Sequence, residues 1–197
     1  VLPPKLAPLQ VIIVPIPKPT PEIKEVADRI IANLSSKGIR IKYDMDDRNR
    51  PGFKFEEYEL KGVPVRIGIG ARDLEQGVVE IARRDTKEKK SVPLEQVNEY
   101  VEQLLIDIQQ HLYNRALELR TANSHQVDDW NSFKEIIETK GGFIYAHWDG
   151  TSETEEAIKE QTKATIRCIP LDAKEEPGVC VFSGKPSTRR VLFAKAY

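Results

Sequence analysis

The sequence predicts an α/β protein in two parts: an α/β domain followed by a small α+β domain. Three observations lead to this prediction. A continuous apolar run, an amphipathic helix pattern and a second short apolar run occur in the order of a parallel strand–helix–strand unit. Alternating strands and a long helix follow. A polar stretch then precedes a second set of shorter elements, and 197 residues suffice for two small cores.

The first strand is predicted at residues 10–14, where a continuous apolar run is typical of strands buried on both faces. A helix follows, with Thr20 as its N-cap, Pro21 at its first position and Gly38 as its stop. Residues 39–43 are predicted to form the next strand. We therefore expect a right-handed parallel crossover between these two strands.

The alternation in residues 63–69 predicts a strand with one apolar face. Four apolar residues at alternate positions would face the core: Val63, Val65, Ile67 and Ile69. Arg66 would then point to the opposite, open face of the strand. A further strand is predicted at residues 78–83, and a long amphipathic helix is predicted to begin at residue 94.

Residues 120–129 are polar and form the best candidate for a linker, although helicity could continue through part of them. We therefore expect domains over residues 1–122 and 123–197. The second domain is predicted to contain a helix, a strand, a helix and three strands, at residues 130–139, 143–147, 154–163, 165–169, 178–182 and 191–194.

The composition excludes some classes of protein. With 30 basic and 31 acidic residues the net charge is −1, which is not the basic excess usual in nucleic-acid-binding domains. Residues 48–90 hold 11 Lys or Arg and 8 Asp or Glu, so this segment has a net charge of +3 and is a weak basic patch. The rest of the chain has a net charge of −4. Two cysteines without a secretory signal indicate a reducing cytoplasm, and no apolar run approaches the ~20 residues needed to span a membrane.

Aromatic, acidic and basic residues surround the third predicted strand. Phe53 and Phe55 could stack on a base, although packing in the core is the ordinary role of either ring. Glu59 could accept two hydrogen bonds, although most such carboxylates are simply solvated on a helix. The guanidinium groups of Arg66 and Arg72 each offer several N–H hydrogen-bond donors. This mixture suits the reading of an unpaired nucleic-acid base.

Several segments, in order along the chain, resemble those of a known family. They are Arg-Pro-Gly-Phe-Lys-Phe at residues 50–55, Glu-Leu-Lys-Gly-Val-Pro with the following arginine at residues 59–66, and Gly-Ala-Arg-Asp-Leu at residues 70–74. Residues 1–8 match the end of the last class II signature of that family, and residues 162–170 and 191–197 match its C-terminal domain. Together these segments resemble the prolyl-tRNA synthetases of the archaeal and eukaryote-like type.

The resemblance implies the anticodon-binding fold of class II aminoacyl-tRNA synthetases, which is a mixed sheet flanked by helices. It also implies that the positions matching Glu59, Arg66 and Arg72 read the two guanines of the proline anticodon, and that Phe55 stacks on a base. A carboxylate and an arginine suit this task, because guanine presents adjacent donors on one edge and acceptors at O6 and N7. A lysine completes the family's set, and it is Lys87 or Lys89 here because the sequence carries an extra residue in that stretch.

In many members of the family the second domain binds zinc through four cysteines. The resemblance retains only Cys180, since its usual partner falls on Ser183 and the earlier pair falls in residues 147–154, which contain no cysteine. Cys168 matches an ordinary strand position. A closed tetrahedral site needs four good ligands, so we expect no zinc and packing in place of the metal.

The resemblance further implies a full enzyme that joins proline to tRNA(Pro) with ATP and magnesium, as a cytoplasmic homodimer. Its catalytic domain would precede Val1 in the same chain, so this part would hold no cofactor or catalytic residue and be inactive alone. Tyr197 would pack back toward that domain. Two alternatives stay open: a freestanding α/β module for a protein or small ligand, with Arg66 and Glu59 as a surface ion pair, or a paralogue that no longer recognises tRNA.

Overall fold

The computed structural model describes residues 1–196 of the chain. The chain divides into two compact units, Val1–Arg115 and Ala116–Tyr197. The expected docking of Tyr197 lies outside the described residues and stays a prediction, as does the domain boundary after residue 122. Among the helices of the described residues, none has the length and apolar character needed to cross a membrane.

The first unit is built on a five-stranded mixed sheet. Its strands are β1 (Val11–Ile16), β2 (Ile41–Tyr43), β3 (Val65–Gly70), β4 (Val78–Arg83) and β5 (Lys89–Pro93). They lie in the order β2-β1-β3-β4-β5. Strand β1 pairs in parallel with β2 and β3, whereas β4 and β5 are antiparallel to their neighbours. The predicted mixed sheet and the parallel pairing of the first two strands are confirmed.

Four helices begin in this unit: α1 (Pro21–Ser36), α2 (Pro51–Leu60), α3 (Ala71–Glu75) and α4 (Val97–Ala122). The start of α1 is as predicted, because the Thr20 hydroxyl accepts a hydrogen bond from the Ile23 backbone N–H at 3.3 Å and Pro21 occupies the first turn. A 3-10 turn at Leu94–Gln96 leads into α4. The buried faces of α1 and α4 form the main core with one face of the sheet.

The strand predicted at residues 63–69 begins two residues later than expected. Its three alternating apolar residues do enter the main core: Val65, Ile67 and Ile69. Val63 precedes the strand and belongs to a second apolar cluster on the opposite face of the sheet, the α2-side cluster, formed by Ile12, Val14, Tyr58 and Val63. The reason is the turn at Gly62, with φ of 77°, after which the Val63 N–H still donates to the Tyr58 carbonyl at 3.1 Å.

The second unit contains a four-stranded and a two-stranded sheet. Its strands are β6 (Ser124–Gln126), β7 (Phe143–His147), β8 (Ala164–Cys168), β9 (Gly178–Val179), β10 (Pro186–Ser187) and β11 (Arg190–Lys195), and its helices are α5 (Trp130–Thr139) and α6 (Ser152–Thr162). The larger sheet has the order β6-β7-β11-β8, and β9 pairs with β10. The bounds of α5 and β7 match their predicted ranges. Phe133 and Phe193 meet edge to face in the core of this unit.

The structure refines one expectation for the second unit and corrects another. In the candidate linker at residues 120–129, α4 continues to Ala122, as the sequence allowed, and β6 then pairs in parallel with β7, so that residues 127–129 lie outside helices and strands. The strand predicted at residues 178–182 ends at Val179. It ends there because a tight turn follows, in which the Cys180 N–H donates to the Lys185 carbonyl at 2.8 Å.

Candidate nucleic-acid interface

Helix α2 is fixed to the loop after β2 by a buried ion pair. Lys54 Nζ lies 3.3 Å from Asp44 Oδ1, and only 3% of the Lys54 side chain is exposed. Burial raises the pKa of Tyr58 to about 12, and the neighbouring Asp44 carboxylate adds to this shift. The pair holds one side of α2 against the loop that follows β2. This contact fixes where the remaining side chains of α2 can reach.

Phe55 and Glu59 lie one turn apart on α2 and are therefore neighbours on the same side of the helix. Phe55 is half-buried and packs against the α2-side cluster. Phe53 is 56% exposed, so the expectation of core packing is wrong for this ring. The reason is that α2 buries Lys54 and Tyr58, and the position of Phe53 lies outside that buried face.

The Arg66 guanidinium lies on the ring of Phe55, with Cζ 3.5 Å from the ring centroid. The Arg66 side chain is only 12% exposed. The face of β3 that the sequence predicted to be open is thus partly covered by α2. Burial lowers the pKa of Arg66, and the carboxylate of Glu80 opposes this shift.

Two carboxylates hold the cations of this region. Glu80 Oε1 lies 3.4 Å from Arg66 Nη2 and 3.5 Å from Lys89 Nζ. Glu59 Oε2 lies 3.3 Å from Arg84 Nη2. Arg66 and Glu59 are therefore each paired with another residue rather than with one another. The buried Nε atoms of both arginines have no hydrogen-bond partner within residues 1–196.

A cavity of about 460 Å³ opens between α2 and strands β3, β4 and β5. Its volume lies within the range of small-ligand sites. Five of the six predicted site residues line it: Phe55, Glu59, Arg66, Lys87 and Lys89. Arg72 does not line this cavity, because β3 ends before it and it is exposed on α3. The structure therefore brings together an aromatic ring, a carboxylate, a guanidinium and two lysines.

The β4–β5 hairpin, which carries Lys87, is pinned at Asp85. Arg83 donates from Nε and Nη2 to the two Asp85 oxygens at 2.8 and 2.6 Å, and His111 Nδ1 lies 2.6 Å from Oδ2. Burial opposes ionisation of Asp85, but the hydrogen bonds from Arg83 and His111 outweigh it and lower the pKa of Asp85. This contact supports the hairpin from the α4 side.

Sequence reasoning missed Glu80, Arg84 and the anchoring role of Lys54. A signal existed for Glu80, because it alternates with two buried apolar residues in β4 and therefore faces the same side of the sheet as Arg66. Arg84 lies in the turn after β4, where no periodicity applies. Lys54 gave no signal, because a lysine is ordinarily exposed.

The residues of the second unit do not fit the four-cysteine zinc site that the resemblance associates with many members of the family. Cys180 is buried, but Ser183, at the position of its expected partner, donates to Asp149 Oδ2 at 2.6 Å. The hydroxyls of Thr151 and Thr154 also donate to Asp149, each at 2.9 Å. In the part of the chain that the structure describes, no group of three or more His, Cys, Asp or Glu is placed to hold a metal ion. Hydrogen bonds to one carboxylate occupy this region, in addition to packing.

Comparison with known families matches both units. A family model described as an anticodon binding domain matches residues 10–104. A second, described as the C-terminal part of prolyl-tRNA synthetase, matches residues 130–197. These matches agree with the fold of each unit.

Individual proteins give the same result. The chain is 56% identical over 200 residues to a proline–tRNA ligase of Cytophaga hutchinsonii and 58% identical to one of Porphyromonas gingivalis, with all of this chain covered. It spans 41% and 40% of those two proteins. A crystal structure of prolyl-tRNA synthetase from Cryptosporidium parvum, complexed with L-proline and AMP, superposes with a TM-score of 0.91 at 31% identity, over all of this chain and 42% of that one. The predicted fold class is confirmed, and the chain belongs to the prolyl-tRNA synthetase family, in which it corresponds to the anticodon-binding and C-terminal domains.

Proposed function

We propose that this chain is the tRNA-recognition part of a proline–tRNA ligase, and that the cavity beside α2 reads the two guanines of the proline anticodon. The observation that carries the proposal is the meeting of Phe55, Glu59 and Arg66 at one cavity in a chain of this family. Proline codons begin with two cytosines, so every proline anticodon ends in two guanines. A site for guanine needs acceptors for its Watson–Crick donors and donors for O6 and N7.

Phe55 is the residue that we place beneath one guanine. Glu59 lies one turn away on the same side of α2, where its carboxylate can accept from the edge of a base that stacks on the ring. Stacking of this kind contributes about 1–3 kcal/mol per base. One face of the ring already carries the Arg66 guanidinium, so the base would take the remaining face.

Arg66 and Arg72 complete the set of donors in this proposal. Arg66 reaches the cavity directly, whereas Arg72 would contact RNA that extends past the end of β3. Lys87 and Lys89 lie at the rim on the β4–β5 hairpin, where either could meet a phosphate or a base. A lysine that meets a phosphate would add affinity for every RNA alike.

The full protein, on this proposal, ligates proline to tRNA(Pro) with ATP and magnesium. The chain spans about 40% of its relatives, so the catalytic domain would lie in the rest of the same polypeptide. A homodimer in the cytoplasm and a C-terminal domain without zinc belong to the same proposal.

The proposal is tested by the binding of anticodon stem-loops to the 197-residue chain. Wild-type protein should bind the proline loop more tightly than loops in which either guanine is replaced by adenine. Arg66→Ala should lose roughly 1–3 kcal/mol with the cognate loop, about 5- to 150-fold in affinity, and should discriminate less at one position. Arg29→Ala, an exposed arginine of α1 away from the cavity, serves as the matched control.

Two results would count against the proposal. If wild-type protein binds all three loops equally, the chain does not read the anticodon, as a freestanding module or a paralogue without tRNA recognition would behave. If Arg66→Ala discriminates as sharply as wild type, Arg66 is not a reading residue.

A further inference from the structure

Glu59 lines the cavity, and Glu80 lies beside it, next to Arg66 and Lys89. These two carboxylates hold different arginines. Glu59 pairs with Arg84 at 3.3 Å, and Glu80 pairs with Arg66 at 3.4 Å. In both pairs the carboxylate is the more accessible partner: the side chains of Glu59 and Glu80 are 44% and 35% exposed, and those of Arg84 and Arg66 are 27% and 12% exposed. Each pair thus presents an accessible acceptor beside an enclosed donor.

This arrangement matches the edge of a guanine. The O6 acceptor of guanine lies beside the N1–H and N2–H₂ donors on the Watson–Crick edge. A carboxylate beside an arginine N–H offers the complementary groups, acceptors next to a donor. The arginine can keep its bond to the carboxylate while it binds O6, because a guanidinium carries five N–H donors. One pair therefore suffices for one guanine, without separation of the ion pair.

One carboxylate cannot serve two guanines in this way. A Glu59 carboxylate that faces the N1–H and N2–H₂ donors of one base cannot also face the donors of a second base. A second guanine enclosed beside it would have donors without acceptors, which weakens binding. A second acceptor is needed, and Glu80 is a carboxylate on the same face of the sheet as Arg66.

The two pairs also lie on different elements. Glu59 belongs to α2 and Arg84 to the turn after β4, whereas Arg66 and Glu80 lie on the adjacent strands β3 and β4. We propose that Glu59 with Arg84 reads one guanine of the anticodon and that Glu80 with Arg66 reads the other. The inference rests on the proposed function and adds Glu80 and Arg84 to the residues that determine specificity.

Inosine isolates the contact that a carboxylate makes, because it keeps O6 and N1–H of guanine but lacks the 2-amino donor. Wild-type protein should bind stem-loops with inosine at either guanine position about 5- to 150-fold more weakly than the parent loop. Glu80→Gln should become insensitive to inosine at one position and stay sensitive at the other. Glu59→Gln should show the reverse pattern, and Arg84→Lys should weaken recognition at the position that Glu59 reads.

Glu99→Gln is the matched control, because Glu99 is an exposed carboxylate of α4, which packs on the other face of the sheet. It should keep the wild-type response at both positions. Glu80→Asp, which keeps the charge but shortens the side chain, provides a second variant at the same site. It should also lose sensitivity at the position affected by Glu80→Gln.

The possible results separate the inference from the proposed function. If Glu80→Gln responds to both inosine loops as wild type does, or if Glu59→Gln and Glu80→Gln lose sensitivity at the same position, the assignment of two pairs is wrong. A different result is that wild type binds the adenine-substituted loops more weakly than the parent loop but binds both inosine loops as tightly as the parent. In that case the proposed reading of the anticodon is kept, and the proposed contacts of the two carboxylates are wrong. If wild type distinguishes none of the loops, the proposed function fails with the inference.

Discussion

Ser183 donates a hydrogen bond of 2.6 Å to Asp149, although 34 positions separate the two residues. The same carboxylate accepts from the hydroxyls of Thr151 and Thr154. One acceptor thereby joins the loop after β7, the start of α6 and the turn after β9. The resemblance places the zinc ligands of many family members in this region, and here hydroxyl groups and a carboxylate connect the same segments.

The first prediction concerns the stability that these hydrogen bonds supply. Ser183→Ala should lower the free energy of unfolding by about 1 kcal/mol, the usual net contribution of a hydrogen bond. Asp149→Ala should cost more, about 1–3 kcal/mol, because it leaves the buried Thr154 hydroxyl without its acceptor. Urea denaturation measures both changes. Ser152→Ala, at an exposed neighbouring position, should change stability by less than about 0.5 kcal/mol.

The second prediction concerns the stability of the fold at low pH. Burial works against ionisation of Asp149, but hydrogen bonds from Ser183, Thr151 and Thr154 lower its pKa from 3.8 to about 2. Because the folded-state pKa lies below the unfolded value, the ionised Asp149 carboxylate stabilises the fold above pH 3.8. This stabilisation is lost as the pH falls toward 2. After allowance for solvent screening the contribution is about 1 kcal/mol. The difference in free energy of unfolding between wild type and Asp149→Asn should therefore become smaller as the pH falls from 3.8 toward 2. A difference that does not change with pH would contradict the assignment.

The third prediction is that the second unit folds without metal. Zinc sites that contribute to folding draw that energy from several deprotonated ligands, and Cys180 supplies one thiol. Addition of EDTA should leave the melting temperature unchanged. Zinc bound in equal molar amount to the purified protein, together with a lower melting temperature in EDTA, would show that a metal is present after all.

The fourth prediction concerns the anchor of α2. Lys54→Met leaves the Asp44 carboxylate buried without its cation and should lower the free energy of unfolding by roughly 3–5 kcal/mol. Replacement of both partners, Lys54→Met with Asp44→Asn, should recover part of this loss because no buried charge remains. Lys61→Met is the control, since Lys61 pairs with Glu57 at the exposed end of the same helix. Equal losses for Lys54→Met and Lys61→Met would mean that the buried pair does not fix α2.

Local signals in the sequence were sufficient for most elements of the fold. The N-cap at Thr20 with Pro21 identified α1, and the alternation of β4 gave its bounds without error. The start of β3 could not be obtained this way, because Val63 continues the alternation but is held in the turn that ends α2. Period and propensity do not reveal such a competing hydrogen bond.

Only part of the site was predicted, because contacts between distant segments leave no local pattern in the sequence. Phe55, Glu59 and Arg66 stand out by residue type and by resemblance to the family. Alternation in β4 indicates that Glu80 faces away from the core, but the pairing of Glu80 and of Arg84 depends on which segments are neighbours in the fold. The placement of Glu80 beside Arg66 requires the antiparallel register of β3 and β4, which the sequence alone did not provide.

The pairing of cations with carboxylates around the cavity bears on how RNA would be attracted to this part of the chain. Arg66, Lys89 and Arg84 already face acidic groups. These ion pairs leave little net positive charge to neutralise phosphates, so RNA that binds here would displace few condensed counterions, and affinity should fall only weakly as ionic strength rises. The balanced charge also provides little long-range steering, so encounter should be slow compared with that of strongly basic RNA-binding domains. On the proposed function, this surface would contribute more to the rejection of wrong anticodons than to the attraction of tRNA.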